Sequence, residues 1–171
     1  MRITGGSHRG RKIKVPNHSM VRPTSARVRE AVFSIIGSRV KGSFLDAFGG
    51  SGIMGIEAAS RGAEEVLICE ILGPVYRQIQ STIKGISLPI SVSKLDARML
   101  LHQRNFDVVF LDPPYKYNPS DWLPFGSKMA TDLLVYEHSP TFVLPNAFPG
   151  WERDRLRVYG DCAISVYNSV G

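Results

Sequence analysis

The pattern of hydrophobic and polar positions changes near residue 43 and divides the chain into two parts. In the first part, polar and apolar residues alternate over residues 12–15 among glycines, which predicts a short β-hairpin. Apolar residues then recur at three- and four-residue steps from Val28 to Ile36. This spacing predicts an amphipathic helix over about 25–37, with Thr24 or Ser25 as its N-cap.

From residue 43 onwards, short apolar runs alternate with helical patterns, and glycines separate them. Strand–helix alternation is typical of a doubly wound α/β sheet. The last two runs flank Gly160-Asp161 and predict a hairpin, which makes the sheet mixed. Helices are predicted at 53–61, 73–85, 97–104 and 121–130. The seven predicted strands are 44–48, 65–70, 90–95, 106–112, 133–136, 155–159 and 163–167.

Basic residues are concentrated at the start of the chain. The net charge of the 171-residue chain is +6, but residues 1–41 carry +9 and the remaining residues carry −3. A basic arm on a slightly acidic body suggests a polyanionic partner, and a solvated basic surface is the alternative. The cations are interleaved with Gly, Pro and polar residues instead of an apolar helical stripe, which argues against membrane binding.

Metal and membrane chemistry have little support in the sequence. Cys69 and Cys162 form no CxxC motif and have no paired histidine, so we expect no metal site and no disulfide framework. No apolar run approaches the roughly 20 residues that span a bilayer. The N-terminus lacks the apolar core of a signal peptide, so we expect a cytoplasmic protein.

A glycine loop follows the first predicted strand of the sheet. Asp46 is followed by Gly49-Gly50-Ser51-Gly52 and then by a helix, whose N-terminal N–H groups can bind an anion such as a carboxylate. Glu70 follows the second strand and Asp96 the third, where acids can accept hydrogen bonds from ribose hydroxyls and an adenine amine. Gly50–Gly55 also matches GxGxxG, so the loop is compatible with S-adenosylmethionine or with a nicotinamide cofactor.

The motif Asp112-Pro113-Pro114-Tyr115 separates these two cofactors. Each proline restricts the residue before it, so Asp112 and Pro113 are held extended and their carbonyls form a rigid acceptor patch. Such a patch can orient the exocyclic amine of a nucleic-acid base, which is a poor nucleophile, towards a methyl donor. Alignment of this kind is worth roughly 7–11 kcal/mol. Tyr115 can stack on a base that is flipped out or lies in a loop.

Several stretches together resemble the RsmD-like 16S rRNA guanine-N2 methyltransferases of bacteria. They occur in order over residues 1–115. The stretches are Arg2-Ile3-Thr4-Gly5-Gly6-Ser7-His8-Arg9-Gly10-Arg11, Arg22-Pro23-Thr24, Arg27-Val28-Arg29-Glu30-Ala31, Leu45-Asp46-Ala47-Phe48-Gly49-Gly50-Ser51-Gly52, Glu57-Ala58, Ser60-Arg61-Gly62-Ala63 and Leu111-Asp112-Pro113-Pro114-Tyr115.

The resemblance implies a Rossmann-like S-adenosylmethionine-dependent methyltransferase fold with a mixed seven-stranded sheet, a C-terminal hairpin and a small N-terminal β-hairpin extension. It implies methylation of a guanine N2 amine in 16S rRNA, within a small-subunit particle, by a monomer without a metal. Residues 1–42 would be an RNA-binding arm, and residues 43–171 would form one compact catalytic domain.

The resemblance also assigns candidate site residues. The catalytic residues would be Asp112, Pro113, Pro114 and Tyr115. The residues that bind the cofactor would be Asp46, Phe48, Gly49, Gly50, Ser51, Gly52, Glu70, Ile71, Asp96, Ala97 and Thr24. The residues that contact RNA would be Arg2, His8, Arg9, Arg11, Lys12, Arg22, Arg27, Arg29 and Lys116.

Three other functions are weighed against this one. A DNA adenine or cytosine amino-methyltransferase shares the glycine loop and the Asp-Pro-Pro-Tyr motif, but 171 residues leave no room for a separate DNA-reading domain. An RNA-binding module without catalysis would have no need of the intact motif. A nicotinamide oxidoreductase would need a hydride-relay residue, and the sequence offers no obvious one.

Overall fold

A computed structural model describes residues 1–19 and 21–171 of the chain. The chain forms two compact units, Met1–Ala97 and Arg98–Gly171. The division that the sequence suggested, an RNA-binding arm of residues 1–42 and one compact catalytic domain of residues 43–171, stays a prediction. The described residues contain four α-helices and eight β-strands. None of the helices in these residues is long and apolar enough to cross a membrane.

The first unit carries three parallel strands in the order β3-β2-β1, with three α-helices. The strands are β1 Ser43–Asp46, β2 Glu65–Cys69 and β3 Ile90–Ser93. The helices are α1 Ala26–Ile36, α2 Ile53–Ser60 and α3 Gly73–Lys84. A 3-10 turn, Gly37–Val40, follows α1. All eight residues of α2 are buried, and a Cβ at Gly55 would lie 2.6 Å from Ile68 Cγ1, so glycine allows α2 to approach β2 closely.

The predicted N-terminal hairpin forms, with a short antiparallel pairing instead of two full strands. Arg2 and Lys12 pair through an antiparallel bridge, and the Ile3 N–H donates to the Arg11 carbonyl at 3.0 Å. Ile3 and Ile13 project inwards and join an apolar cluster with Ile53, Ile56 and Ile86. Full burial of one such side chain is worth about 1.5–3 kcal/mol, so two isoleucines hold the hairpin to the body of its unit.

The second unit carries five strands in the order β4-β5-β8-β7-β6. The strands are β4 Phe106–Leu111, β5 Ala130–His138, β6 Ala147–Phe148, β7 Trp151–Tyr159 and β8 Cys162–Ser169. Its one described α-helix is α4 Leu123–Met129, and 3-10 turns cover Ala97–Leu100 and Pro119–Asp121. Strand β5 pairs with β4 in parallel and with β8 in antiparallel orientation, which confirms the mixed sheet.

Three predicted elements need correction. The described strands number eight and not seven, because Ala147–Phe148 pairs with Trp151–Glu152. Two residues between Asn146 and Pro149 are too short to leave a hydrophobic pattern. Strand β5 is longer than predicted, since Ala130–His138 continues beyond residue 136 into Glu137 and His138. The predicted helix at 97–104 is only a 3-10 turn.

Candidate active site

The glycine loop of the first unit, Gly49–Gly52, joins β1 to α2 and is closed by backbone hydrogen bonds. The Gly49 N–H donates to the Cys69 carbonyl at 2.7 Å, and the Gly52 N–H donates to the Gly49 carbonyl at 2.6 Å. Gly50 and Gly52 have φ of 53° and 75°, in the left-handed region that favours glycine. A Cβ at Gly49 would lie 2.7 Å from Ile68 Cγ2. Backbone conformation and close packing therefore account for the glycines in this loop.

Asp46 lies at the end of β1 and is buried beneath the N-terminus of α2. Its Oδ2 accepts a hydrogen bond from the Gly55 N–H at 3.2 Å, and its Oδ1 is buried with no partner of good hydrogen-bond geometry among the described residues. Burial raises the pKa of the Asp46 carboxyl to about 7, and the hydrogen bond from Gly55 opposes the shift. A buried carboxyl oxygen without a donor is costly, and a cationic ligand group would satisfy it.

Glu70, directly after β2, links the glycine loop to the start of α3. Its Oε2 accepts from the Gly50 N–H at 2.9 Å, and its Oε1 accepts from the Leu72 N–H at 2.7 Å. Each carboxylate oxygen can accept more than one hydrogen bond, so this arrangement leaves capacity for a ligand. Glu70 therefore shapes the loop as well as offering acceptors.

The structure brings the three predicted cofactor carboxylates to one end of the parallel strands. Burial raises the pKa of the Cys69 thiol to about 12, with further upward contributions from Asp46, Asp96 and Glu70. Asp46 ends β1, Glu70 directly follows β2 and Asp96 follows β3, so all three lie at the carboxyl ends of parallel strands. Cys69 itself is a buried, protonated thiol and has no features of a nucleophile.

The remaining predicted cofactor residues have different environments. Phe48 is half-buried, Ile71 is 63% exposed, and Ala97 is buried. Ser51 is buried, and its Oγ accepts from the Ile53 N–H at 3.3 Å. This bond takes part in capping α2.

Thr24 is buried at the start of α1, next to the helix cap. Its carbonyl accepts a hydrogen bond from Arg29 Nη1 at 2.8 Å. Ser25 caps the helix, since its side chain accepts from the Val28 N–H. The sequence had left the cap open between these two residues, and the structure assigns it to Ser25.

In the second unit, Asp112-Pro113-Pro114-Tyr115 directly follows β4 and lies outside any helix or strand. Pro113 is buried and Pro114 is exposed, and the Pro114 carbonyl accepts from the Tyr117 N–H at 3.0 Å. Tyr115 is 39% exposed, and its hydroxyl donates to the Asp161 carbonyl at 3.5 Å. The aromatic ring is therefore accessible instead of being part of the core.

A recess within the second unit is lined by this motif and by the end of β5. Pro113, Tyr115 and Tyr117 contribute to its wall, and Glu137 and His138 face it from β5. The sequence analysis missed these last two residues because the predicted strand stopped at residue 136. A run of mostly apolar residues followed directly by an acid, as at Asp46 and Glu70, was the signal that could have found Glu137.

The predicted RNA-contacting cations are mostly at the surface of their units. Arg9 and Lys12 are exposed on the hairpin, and Lys116 Nζ lies 5.1 Å from the centre of the Tyr117 ring. Arg22 and Arg27 are also exposed.

Three other members of that set make contacts within the hairpin region. The exposed Arg2 side chain donates to the Gly10 carbonyl at 2.7 Å, and the exposed Arg11 donates to the Gly85 carbonyl. His8 is half-buried, with Nδ1 2.8 Å from the Ser7 hydroxyl. Arg2 and Arg11 still contribute positive charge to the surface of the arm.

Arg29 requires a correction, because its side chain is only 1% exposed. Its guanidinium donates to the Thr24 and Arg2 carbonyls, each at 2.8 Å, and lies 3.7 Å from the Glu57 carboxylate. Burial lowers the pKa of this guanidinium, and the Glu57 charge opposes that effect. Arg29 holds the N-terminal hairpin to α1 and is removed from the set that contacts RNA.

The family model described as conserved hypothetical protein 95 matches residues 1–168. The chain belongs to this family. A relative from Escherichia coli named ribosomal RNA small subunit methyltransferase D is 32% identical over 176 residues, which cover 98% of this chain and 89% of the relative. The Bacillus subtilis protein YlbH is 31% identical over 184 residues, which cover 100% of both. The RsmD-like resemblance that the motifs suggested is thereby confirmed.

Solved structures agree with this family assignment. The structure of the Escherichia coli protein yhhF covers 99% of this chain and 97% of its own, with 30% sequence identity and a TM-score of 0.85. The RsmD-like chain thus has the Rossmann-like fold of S-adenosylmethionine-dependent methyltransferases, as expected apart from the number of strands.

Proposed function

We propose that this RsmD-like protein transfers a methyl group from S-adenosylmethionine to the exocyclic N2 amine of a guanine in 16S rRNA. The observation that carries this proposal is the Asp112–Tyr115 motif after β4, with an accessible tyrosine ring beside a recess. The relatives named ribosomal RNA small subunit methyltransferase D support the rRNA substrate. The guanine N2 position comes from the motif resemblance.

The first unit has carboxylate acceptors that match the donor groups of the cofactor. S-adenosylmethionine supplies an electrophilic methyl group on a sulfonium, together with an ammonium, a carboxylate, ribose hydroxyls and an adenine amine. Asp46 has a buried Oδ1 without a well-aligned donor in the part of the chain that the structure describes, which suits the ammonium. Glu70 would accept from the ribose hydroxyls and Asp96 from the adenine amine. Thr24, Phe48, Ile71 and Ala97 would border this pocket.

The motif in the second unit would position the base. The carbonyls of Asp112 and Pro113 would accept hydrogen bonds from the amine and hold its nitrogen in one orientation, while Tyr115 would stack on the ring. The Asp112 carboxylate would receive the proton that the methylated amine releases. No strong base is needed, because the amine becomes acidic once it is methylated. Orientation of the amine is therefore the main contribution of these residues.

The exposed cations of the N-terminal arm would contact the phosphate backbone. Arg9 and Lys12 are the best placed, because both side chains are exposed on a hairpin that is anchored by buried isoleucines. We propose that the substrate is 16S rRNA within a small-subunit particle and that the protein acts as a monomer in the cytoplasm. Residues 1–42 would then be the RNA-binding arm of the enzyme.

The proposal is tested by methyl transfer followed by nucleoside analysis. Purified protein is incubated with labelled S-adenosylmethionine and, in parallel, with 16S rRNA, small-subunit particles that lack base methylation, and duplex DNA. We expect label as N2-methylguanosine in the RNA or the particles and none in the DNA. Asp112→Asn should bind S-adenosylmethionine normally and lose most turnover. Methylation of DNA alone, or of adenine or cytosine, would overturn the proposal.

A further inference from the structure

A buried carboxylate faces the recess and has no role in the function proposed above. Glu137 is the penultimate residue of β5, is 8% exposed, and lines the same recess as Pro113 and Tyr115. Its Oε1 accepts a hydrogen bond from Cys162 Sγ at 3.3 Å. A carboxylate has about four acceptor positions, so Glu137 can accept a further hydrogen bond beside the one from the thiol.

His138, the residue after Glu137, makes hydrogen bonds with both of its ring nitrogens. His138 Nδ1 lies 2.9 Å from the Ser139 carbonyl, so this nitrogen carries the proton. Its Nε2 therefore accepts from the Ser165 hydroxyl at 2.9 Å, and both ring nitrogens are engaged. Burial lowers the pKa of His138, which favours this neutral form. The ring of His138 is thus engaged with protein partners, and Glu137 offers carboxylate acceptors at the recess.

The thiol next to Glu137 stays a hydrogen-bond donor. Burial first, and then the charge of Glu137, raise the pKa of Cys162 well above its usual range. Asp112 raises the pKa of the same thiol and Tyr115 lowers it through a hydrogen bond, and Tyr115 and Pro113 line the recess together with Glu137. The glutamate therefore lies next to the motif that is proposed to hold the amine of the base.

An acceptor at this position distinguishes the bases by the ring atom beside their amine. Guanine has a ring N–H, at N1, next to its exocyclic amine. Adenine and cytosine have an unprotonated ring nitrogen there, and uracil has a ring N–H but no amine. A buried carboxylate accepts a hydrogen bond from the ring N–H of guanine, and it repels the lone pair on the ring nitrogen of adenine or cytosine. A site built to satisfy a buried polar group rejects ligands that leave it unpaired.

We infer that Glu137 selects guanine by accepting a hydrogen bond from its N1–H while the neighbouring amine is held at Asp112-Pro113. This inference rests on the proposed function and names the residue that would determine its specificity for guanine. Glu137 would then determine which base is bound at the mouth of the recess, and Asp112–Tyr115 would determine how its amine is oriented.

The test compares three purines that differ in whether they carry the N1–H and the exocyclic amine. Short oligoadenosine RNAs carry one central guanosine, inosine or 2-aminopurine riboside, and their affinities are measured by fluorescence anisotropy. Inosine retains the N1–H and lacks the amine, whereas 2-aminopurine retains the amine and lacks the N1–H. All three RNAs have the same phosphates, so the electrostatic contribution cancels in the affinity ratios.

The wild-type protein should bind the guanosine and inosine RNAs about 10- to 100-fold more tightly than the 2-aminopurine RNA, the range for one hydrogen bond to a charged group. Glu137→Gln keeps the shape and an acceptor for Cys162. It should reduce the preference for guanosine over 2-aminopurine and the preference for inosine over 2-aminopurine by similar factors. Glu152→Gln, on the exposed side of β7, should leave both ratios unchanged.

Two results would overturn the inference. One is equal affinity of the wild-type protein for the guanosine and 2-aminopurine RNAs, and the other is an unchanged ratio in Glu137→Gln with a normal melting temperature. Methyl transfer to 16S rRNA is measured separately with the wild-type protein. Transfer to guanine without the affinity preference would reject the role of Glu137 alone, whereas the absence of transfer would reject the proposed function.

Discussion

Thr4 and Glu57 join the N-terminal hairpin to helix α2 through three hydrogen bonds. The Thr4 N–H lies 3.0 Å from each carboxylate oxygen of Glu57, and the Thr4 hydroxyl donates to Oε1 at 2.6 Å. Glu57 is fully buried and also accepts from Arg61 Nε at 3.0 Å. The Thr4-Gly5-Gly6 stretch therefore serves to dock the arm, because a Cβ at Gly6 would overlap the Ser60 carbonyl. The exposed cations of the hairpin are left to face a partner.

Removal of the charge on Glu57 should weaken this docking. Glu57→Gln keeps the shape of the side chain but removes the carboxylate charge 3.7 Å from the buried Arg29, a change that costs about 3–5 kcal/mol when one partner of a buried ion pair is lost. We expect this loss in the free energy of unfolding measured by urea titration. The exposed Glu64→Gln is the matched control and should stay within about 0.5 kcal/mol of wild type. A Glu57→Gln protein as stable as the control would show that the ion pair contributes little.

The buried carboxyl of Asp46 should make stability depend on pH. Its pKa is raised to about 7 in the folded protein, whereas an unfolded aspartate has a pKa of about 3.9. Below pH 4 both states hold the proton; between about pH 4 and 7 only the folded state retains it. The stability contributed by this group is therefore lost as pH rises through that range.

Asp46→Asn removes this pH dependence and should stabilise the ligand-free protein at pH 8 relative to wild type, with a smaller difference at pH 5. Melting temperatures at the two pH values check this, and Asp154→Asn on the exposed strand β7 serves as the control. The same Asp46→Asn protein should bind S-adenosylmethionine more weakly, since it lacks the charge that would pair with an ammonium. A melting difference that is equal at both pH values would contradict the raised pKa.

The sequence predicted local features better than long-range contacts. Helix α1 starts and ends where Ser25 and Gly37 indicate, because caps and breakers act within a few residues. The burial of Arg29 was not predictable from its basic neighbourhood, since it depends on Glu57, 28 positions further along the chain. The inclusion of Glu137 in the recess likewise depends on the loop after β4, far from it in sequence.

Neutralising the exposed cations of the arm should weaken RNA binding. Arg9→Gln with Lys12→Gln removes two side chains that are exposed on the hairpin, without touching the buried Arg29. If both contact phosphates, the slope of log affinity against log salt should fall by about 1.4 to 1.8, at roughly 0.7–0.9 per contact. Fluorescence anisotropy with 16S rRNA fragments at several salt concentrations measures this. Lys128→Gln with Arg157→Gln carries the same loss of charge at two exposed positions outside the arm, and an equal effect there would contradict a specific role of the arm in RNA binding.

The ring of Tyr115, and not its hydroxyl, should be the part that matters for the substrate. The hydrogen bond that the hydroxyl donates to the Asp161 carbonyl is long, at 3.5 Å, whereas 39% of the residue is exposed and its side chain lines the recess. Tyr115→Phe keeps the aromatic face and should retain methyl transfer close to wild type. Tyr115→Ala removes a stacking contact worth about 1–3 kcal/mol and should lower kcat/KM for 16S rRNA by roughly 5- to 150-fold. The binding of S-adenosylmethionine should be similar in both variants, because the ring is proposed to hold the base and not the cofactor. If Tyr115→Phe lost as much activity as Tyr115→Ala, the hydroxyl would be the functional group and the stacking role would be wrong.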